Sequence, residues 1–227
     1  IQEHAATSAI CRKERAALRA YSKLLLADPV PPRNASAINW GIARGTAFVA
    51  PPGLAMCLDP WSDFARHRAI DAVLRTGTNQ TIDVINIYGF TPQGKSANDG
   101  HIESTDRLLG EAVARQVTRR HELRCILGDF NNDLTGSAVW SSLRARGWVD
   151  AAEQCHFVLG SPLPNTCMQA TRPDRILISP KLAFFLRAAW VPGSCSAVYS
   201  DHHPQSVLFE LGADAFNLPL LRWHTVI

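Results

Sequence analysis

Apolar and polar positions alternate along this chain in short blocks, most of them about as long as a strand. The pattern predicts strands at residues 45–50, 69–74, 81–88, 123–127 and 205–211, and another within 172–179. Residues 76–79 favour a hairpin turn between the second and third of these strands. Helical spacing of apolar residues predicts helices over 11–26, 104–119 and 137–146, the last ending at Gly147. Strands and helices that alternate in this way favour a layered α/β fold.

Several of these strands begin or end at acidic, amide or imidazole side chains. Asp129 and Asn131 follow the run 123–127, Asp174 lies in 172–179, and Asp201 and His202 precede the strand at 205–211. Polar side chains held at a sheet rim by strands are a common way to build a metal-assisted phosphate site. One Gly-Asp-Phe-Asn segment alone could equally be a turn. The repetition of the same format favours the chemical interpretation.

Together with Gln2-Glu3 and Asn86-Ile87-Tyr88, these segments resemble, in their order, the endonuclease/exonuclease/phosphatase superfamily. The resemblance covers nearly the whole chain. It implies an α/β fold, a four-layer αββα sandwich with two packed, mainly antiparallel mixed β-sheets. We expect this domain to occupy residues 1–212, with 213–227 as a C-terminal tail or linker.

The resemblance also implies a catalytic pair and its metal. His202 would contact the scissile phosphate, and Asp174 would accept a hydrogen bond from its other ring nitrogen. Glu3 would be the ligand of Mg²⁺, or of Mn²⁺, and Asp201 would add an outer-shell or second-metal contact.

Four further polar groups receive roles around the phosphate. Asp129 would orient the attacking water or assist the leaving group, and Asn131 would donate its amide to a non-bridging oxygen. Tyr88 would hydrogen-bond the phosphate, although a half-buried core tyrosine is an equal alternative. Thr166 would lie near the substrate.

Composition adds little beyond compatibility with an enzyme. The 227 residues, 46% of them hydrophobic, suit one large domain, and a net charge of +3 permits a polyanionic partner. No apolar run approaches the roughly 18 residues of a membrane span. The six cysteines show no zinc-ligand spacing. We expect reduced thiols and an intracellular protein, with a Cys155–Cys167 disulfide as the alternative.

The predicted substrate is DNA, because the segments around Asp174 and His202 look most like retroelement endonuclease domains. Such a domain would be monomeric and nuclear. It would nick DNA to supply the primer end for reverse transcription by a downstream reverse transcriptase domain. Two alternatives stay open. One is a phosphatase acting on a small molecule or lipid head group. The other is a catalytically degenerate remnant that binds polyanions. Members of the family carry an asparagine on a strand before the Gln2-Glu3 element, and we interpret this chain as a fragment without that strand.

Overall fold

The fold is described by a computed structural model over residues 23–26, 47–50, 55–58, 68–75, 80–91, 100–167, 171–191 and 202–211. The strands within these ranges are β1 (Lys23–Leu26), β2 (Ala47–Ala50), β3 (Ala55–Leu58), β4 (Ala69–Arg75), β5 (Thr81–Tyr88), β6 (Leu123–Asp129), β7 (Val149–Asp150), β8 (Asp174–Ile178), β9 (Leu186–Trp190) and β10 (Ser206–Phe209). The helices are α1 (His101–Thr118), α2 (Ala138–Ala145), α3 (Ala151–Leu159) and α4 (Pro180–Ala183).

A six-stranded mixed sheet forms the centre, with the strand order β3-β4-β5-β6-β8-β7. Only the pair β5–β6 is parallel within this sheet, and α1 provides the crossover that a parallel pair needs. The other pairs are antiparallel. Because β6 is parallel to β5 and antiparallel to β8, the end of β5, the end of β6 and the start of β8 all lie at one edge of the sheet.

Each face of the central sheet carries its own apolar core. On one face, the helices α1 and α2 pack through Leu109, Trp140 and Leu143 against Ile85, Ile126 and Leu177. On the other, the strand pairs β1–β2 and β9–β10 form a second layer of strands. That layer contributes Phe48, Ala189, Val207 and Phe209 to a core with Ile70, Val84, Cys125 and Ile176. The predicted layered fold, with a mixed sheet and a second sheet packed on it, is confirmed.

Buried ion pairs fix α1 on the central sheet. Arg115 and Arg119 both contact the Asp71 carboxylate, and Arg119 Nη1 lies 2.9 Å from Asp83 Oδ1. Gln116 donates to the carbonyls of Asp83 and Cys125, both at 3.0 Å. The helix is therefore anchored by side chains that satisfy polar groups on the sheet face it covers.

Most predicted elements are present with shifts at their ends. The helix predicted from 104 begins at His101, and the strand predicted over 123–127 continues to Asp129. Ser137 caps α2 by accepting from Trp140 N at 2.8 Å, and Gly147 follows α2 with φ +81°. The proposed hairpin turn at 76–79 lies outside the described residues, although the two strands it joins pair antiparallel.

The helix predicted over 11–26 is wrong at its end, because Lys23–Leu26 is the strand β1 and pairs with Ala47–Ala50. A short apolar run such as Leu24-Leu25-Leu26 fits either element, so pairing with another strand decides its conformation. The rest of that prediction lies outside the described residues. The helix α3, which Asp150 caps by accepting from Ala152 N at 3.0 Å, was not predicted, nor was the strand β9.

Cys125, Cys155 and Cys167 are free thiols, so the alternative Cys155–Cys167 disulfide is not formed. Burial between the two sheets raises the pKa of Cys125 to about 12. None of the described helices is long and apolar enough to cross a membrane.

Gly89, directly after β5, has no room for a side chain. A Cβ built on it would overlap the backbone carbonyl of Phe130, and Gly89 N donates to Asp129 O at 2.7 Å. We expect Gly89→Ala to force β5 and β6 apart and to lower the free energy of unfolding by about 1–3 kcal/mol, the usual cost of overpacking. Chemical denaturation would measure this change.

Gly136 supplies the matched control, because a Cβ there would meet no atom within 4 Å. Gly136→Ala should unfold close to the wild-type midpoint. Equal midpoints for the two alanine variants would contradict the close approach at Gly89.

Candidate active site

Three polar side chains lie side by side at the sheet edge where β5 and β6 end and β8 begins. In the strand register, Tyr88 is opposite Asp129, and Asp129 is opposite Asp174. Side chains two residues apart in a strand share a face, so Asp129 and Asp174 lie on the same face as Leu127 and Ile176, which pack against the second strand layer. The sheet therefore presents a phenol and two carboxylates in one row at its rim.

His202 joins this row through the side chain of Asp174. Its Nδ1 lies 2.8 Å from Asp174 Oδ2, and the two side chains are 32% and 17% exposed. The hydrogen bond to the Asp174 carboxylate raises the pKa of His202 from 6.5 to about 9. In the absence of a metal ion this shift favours the protonated ring, which can donate a hydrogen bond from Nε2 as well as from Nδ1.

The backbone around Thr166 holds both members of this pair. Cys167 and His202 form an antiparallel bridge, and His203 N donates to Thr166 O at 2.7 Å. The Thr166 hydroxyl accepts from Asp174 N at 3.2 Å, and the residue is fully buried. Thr166 thus supports the Asp174–His202 pair. The substrate contact that we predicted for Thr166 stays a prediction.

Gln205 is a supporting residue that sequence reasoning missed. Its side-chain amide donates to the backbone carbonyl of Asp174, and the residue is buried. It stands three positions after His202, where β10 is about to begin, and no motif in the sequence marks it. Asp174 is consequently held by its N–H, its carbonyl and its carboxylate.

Asn131 lies in a tight loop just beyond β6. Its backbone N–H donates to Asp129 Oδ1 at 2.8 Å, and its φ of +50° is a left-handed conformation that asparagine tolerates better than most residues. Its amide Nδ2 donates to Gly89 O at 3.2 Å, which uses one of the two amide N–H groups. The loop thereby links the ends of β5 and β6.

Arg68, which directly precedes β4, supports the ends of β5 and β6 from that side and was also missed in the sequence. Its Nη1 donates to Gly89 O at 2.6 Å and to Tyr88 O at 3.2 Å. The guanidinium carbon lies 4.0 Å from the centre of the Phe90 ring, a cation–π contact. Arg68 therefore fixes the segment that carries Tyr88.

The donor set at this rim fits a divalent cation. Asp129 and Asp174 bring carboxylate oxygens, and His202 a ring nitrogen, within 4.8 Å of one another, and the two carboxylates are the groups that can face a cation while the ring is protonated. Carboxylate oxygens suit Mg²⁺ and Mn²⁺. Glu3 and Asp201, the predicted metal ligands, lie outside the described residues, so their roles stay predictions.

Comparison with solved structures identifies the fold. The catalytic domain of Xenopus laevis APE2 superposes with a TM-score of 0.64 at 16% identity, covering 92% of this chain and 81% of that one. The Neisseria 3′ phosphatase NExo, solved bound to product DNA hairpin, has a TM-score of 0.54 at 18% identity, with 90% and 95% covered. The endonuclease domain of TRAS1, a telomere-specific non-LTR retrotransposon, has 0.51 at 16% identity, with 84% and 86% covered. No family model and no curated protein matches the sequence.

The charge state of His202 can be measured directly. In metal-free protein, we expect a histidine NMR titration to give His202 a pKa near 9, because the Asp174 carboxylate stabilises the imidazolium. Asp174→Asn removes that charge, so the His202 pKa should fall toward the ordinary value of about 6.5. The imidazolium would then be lost at neutral pH.

The signals of the other histidines in the same spectra provide the internal control, since Asp174→Asn should leave their titrations in place. A His202 pKa near 6.5 in the wild-type protein would contradict the hydrogen-bonded pair.

Proposed function

We propose that this chain, which has the fold of the endonuclease/exonuclease/phosphatase superfamily, is a divalent-metal-dependent phosphodiesterase that cleaves DNA. The observation that carries the proposal is the hydrogen-bonded pair of Asp174 and His202, with Asp129 beside it at the sheet edge. An imidazolium and two carboxylates on a rigid rim provide both an electrophile and candidate bases for attack on a phosphodiester.

The role of His202 follows from its protonation. With Nδ1 bonded to Asp174, Nε2 is the ring atom that would donate to a non-bridging oxygen of the scissile phosphate. Negative charge grows on the phosphate as the nucleophile attacks, and a donor held in place before reaction stabilises it without reorganisation. Asp174 keeps the ring charged and aimed.

Asp129 is the proposed base or water-orienting group. Its carboxylate stands next to Asp174 in the strand register, and the Asn131 N–H holds it by a 2.8 Å hydrogen bond. The second N–H of the Asn131 amide would donate to another phosphate oxygen, and the Tyr88 hydroxyl would do so from the far end of the row. These contacts would hold the phosphorus between Asp129 and His202.

Glu3, with Asp201 as an outer-shell or second-metal contact, would hold Mg²⁺ beside the rim carboxylates Asp129 and Asp174. When bound, this ion would neutralise phosphate charge and favour ionisation of a nearby water.

DNA is the proposed substrate because one of the compared proteins was solved with DNA and another is the endonuclease domain of a retrotransposon. NExo was solved with a product DNA hairpin, and the TRAS1 domain is a retrotransposon endonuclease. We further propose a retroelement-type nicking endonuclease that acts together with a reverse transcriptase domain. Cleavage of one DNA strand would then leave a 3′ end that can prime synthesis.

Plasmid nicking tests this proposal. Purified protein with magnesium should convert supercoiled plasmid to open circle, and EDTA should stop the reaction. His202→Ala should lower the rate by at least about 10²-fold, the usual contribution of a positioned proton donor. Asp174→Asn should lower kcat with little change in KM, because the aspartate acts through the histidine. Nicking rates on an agarose gel give these values.

His203→Ala is the matched control. His203 contacts Thr166 through its backbone N–H, which alanine keeps, so this variant should nick at the wild-type rate. Equal rates for His202→Ala and wild type would overturn the assigned site. Release of inorganic phosphate from small-molecule or lipid phosphoesters without nicking would instead favour the phosphatase alternative, and salt-sensitive DNA binding without cleavage would favour the polyanion-binding alternative.

The metal proposal has its own measurement. Glu3→Gln keeps the size of the side chain but removes its charge. The Mg²⁺ concentration that gives half-maximal nicking should therefore rise by at least about tenfold. An unchanged magnesium titration would assign the metal to other residues.

A further inference from the structure

Two arginines flank Asp174, and both turn away from the substrate edge into the protein. Arg172 lies two positions before Asp174 and Arg175 one position after it, and each is only 7% exposed. Arg172 Nη2 lies 2.7 Å from Asp150 Oδ1, and Arg175 Nη1 lies 3.2 Å from Asp150 Oδ2. A single carboxylate therefore bridges the residues on either side of the aspartate that holds His202.

Asp150 is built into the fold as a junction. Its side chain is completely buried, and Oδ1 also accepts from Ala152 N at 3.0 Å and Glu153 N at 3.3 Å to cap α3. Its backbone pairs with Leu177 in β8, the strand that begins at Asp174. One residue thus joins β7, α3, β8 and the segment before β8.

The same group of residues reaches the loop that carries Asn131. Arg175 Nη2 donates to Asp133 O at 2.5 Å, while its Nη1 also contacts Glu153 Oε1 at 2.7 Å. Asp133 follows Asn131 by two positions. Arg175 is therefore held at a backbone carbonyl beyond Asn131 as well as at Asp150 and Glu153.

Stability alone gives a weak reason for this arrangement. Two arginines and two acids balance in charge, but burying them requires desolvation that apolar side chains would avoid. Within the described residues, Arg172 Nε and Nη1 and Arg175 Nε are buried without a hydrogen-bond partner, and Arg172 Nη1 is 3.6 Å from Glu153 Oε1. The ion pairs of Arg172 and Arg175 with Asp150 instead hold the chain on both sides of Asp174 through directional bonds, which apolar packing would not supply.

We propose that Asp150 is a positioning residue for the active site and acts through Arg172 and Arg175 to fix the direction of Asp174 and hence of His202. This inference rests on the proposed phosphodiesterase function. Asp150 lies in the neighbouring strand β7, and the chemistry is left to the groups at the rim.

The variant Asp150→Asn tests this role. Asparagine matches aspartate in size and caps helices as well, so α3 keeps its N-cap while the arginines lose their shared charge. We expect kcat to fall about 10- to 100-fold with little change in KM, because slight misplacement of catalytic groups has effects of this size. Initial rates would be measured at a temperature where the variant is fully folded by circular dichroism.

Asp71→Asn is the matched control, because Asp71 is a buried carboxylate that also contacts two arginines but does so under α1. It should lower the melting temperature without lowering kcat of the folded enzyme. Equal losses of kcat in Asp71→Asn and Asp150→Asn would overturn the positioning role, since both would then reflect general destabilisation.

A double variant separates positioning from an independent contribution. If Asp150 acts through Asp174, adding Asp150→Asn to Asp174→Asn should cost little further rate, so that the two changes are strongly non-additive. Losses that multiply would overturn the proposal. If Asp150→Asn does not fold, Glu153→Gln at the more exposed side of the cluster serves instead, with a smaller loss of kcat and the same non-additivity expected.

One readout needs no turnover. The Nδ1 proton of His202, bonded to a carboxylate, should give a downfield proton NMR signal that disappears in His202→Ala. It should weaken or shift in Asp150→Asn and persist in Asp71→Asn. Nicking absent from the wild-type protein while this pattern holds would reject the proposed function and keep the positioning role, whereas an unaltered signal in Asp150→Asn would reject the positioning role itself.

Discussion

The register of three neighbouring strands fixes both the apolar core and the row of polar side chains at the sheet edge. Tyr88, Asp129 and Asp174 are aligned because β5 runs parallel to β6 and β8 runs antiparallel to it. A slip of one residue would send each side chain to the opposite face of the sheet. The apolar residues on both faces oppose such a slip, since Leu127 and Ile176 fit the strand layer while Ile126 and Leu177 fit the helices. Core packing and site geometry are thus fixed by the same pairing.

The supports of Asp174 come from parts of the chain that are far apart in sequence. Thr166 meets its N–H, Gln205 meets its carbonyl, and His202 meets its carboxylate. Directional bonds of this kind restrict orientation as well as distance, which apolar packing alone does much less well. These bonds therefore fix the orientation of Asp174 and, through its carboxylate, the orientation of the His202 ring.

Among the described residues, two separate groups of buried charge have different surroundings. The group around Asp71 and Arg119 joins α1 to the sheet, whereas the group around Asp150 and Arg175 surrounds the start of β8. Both groups face a core and both are balanced by opposite charge, as burial requires. The group around Asp71 therefore contributes to stability, whereas the group around Asp150 is close enough to Asp174 to affect the active site.

The long patterned elements and the residue types at the rim could be predicted from the sequence. The pattern over Thr81–Tyr88 and Leu123–Asp129 was strong enough to predict strands, and polar side chains at their ends predicted where chemistry would lie. The pattern failed at Lys23–Leu26, because a short apolar run fits either a helix or a strand. It also gave no sign of Gln205 or of the bonds made by Asp150, because a single polar residue is not part of a periodic pattern. Tertiary structure decided these features. Contacts such as Asp174–His202, 28 residues apart, exist only after strand pairing brings distant segments to one edge.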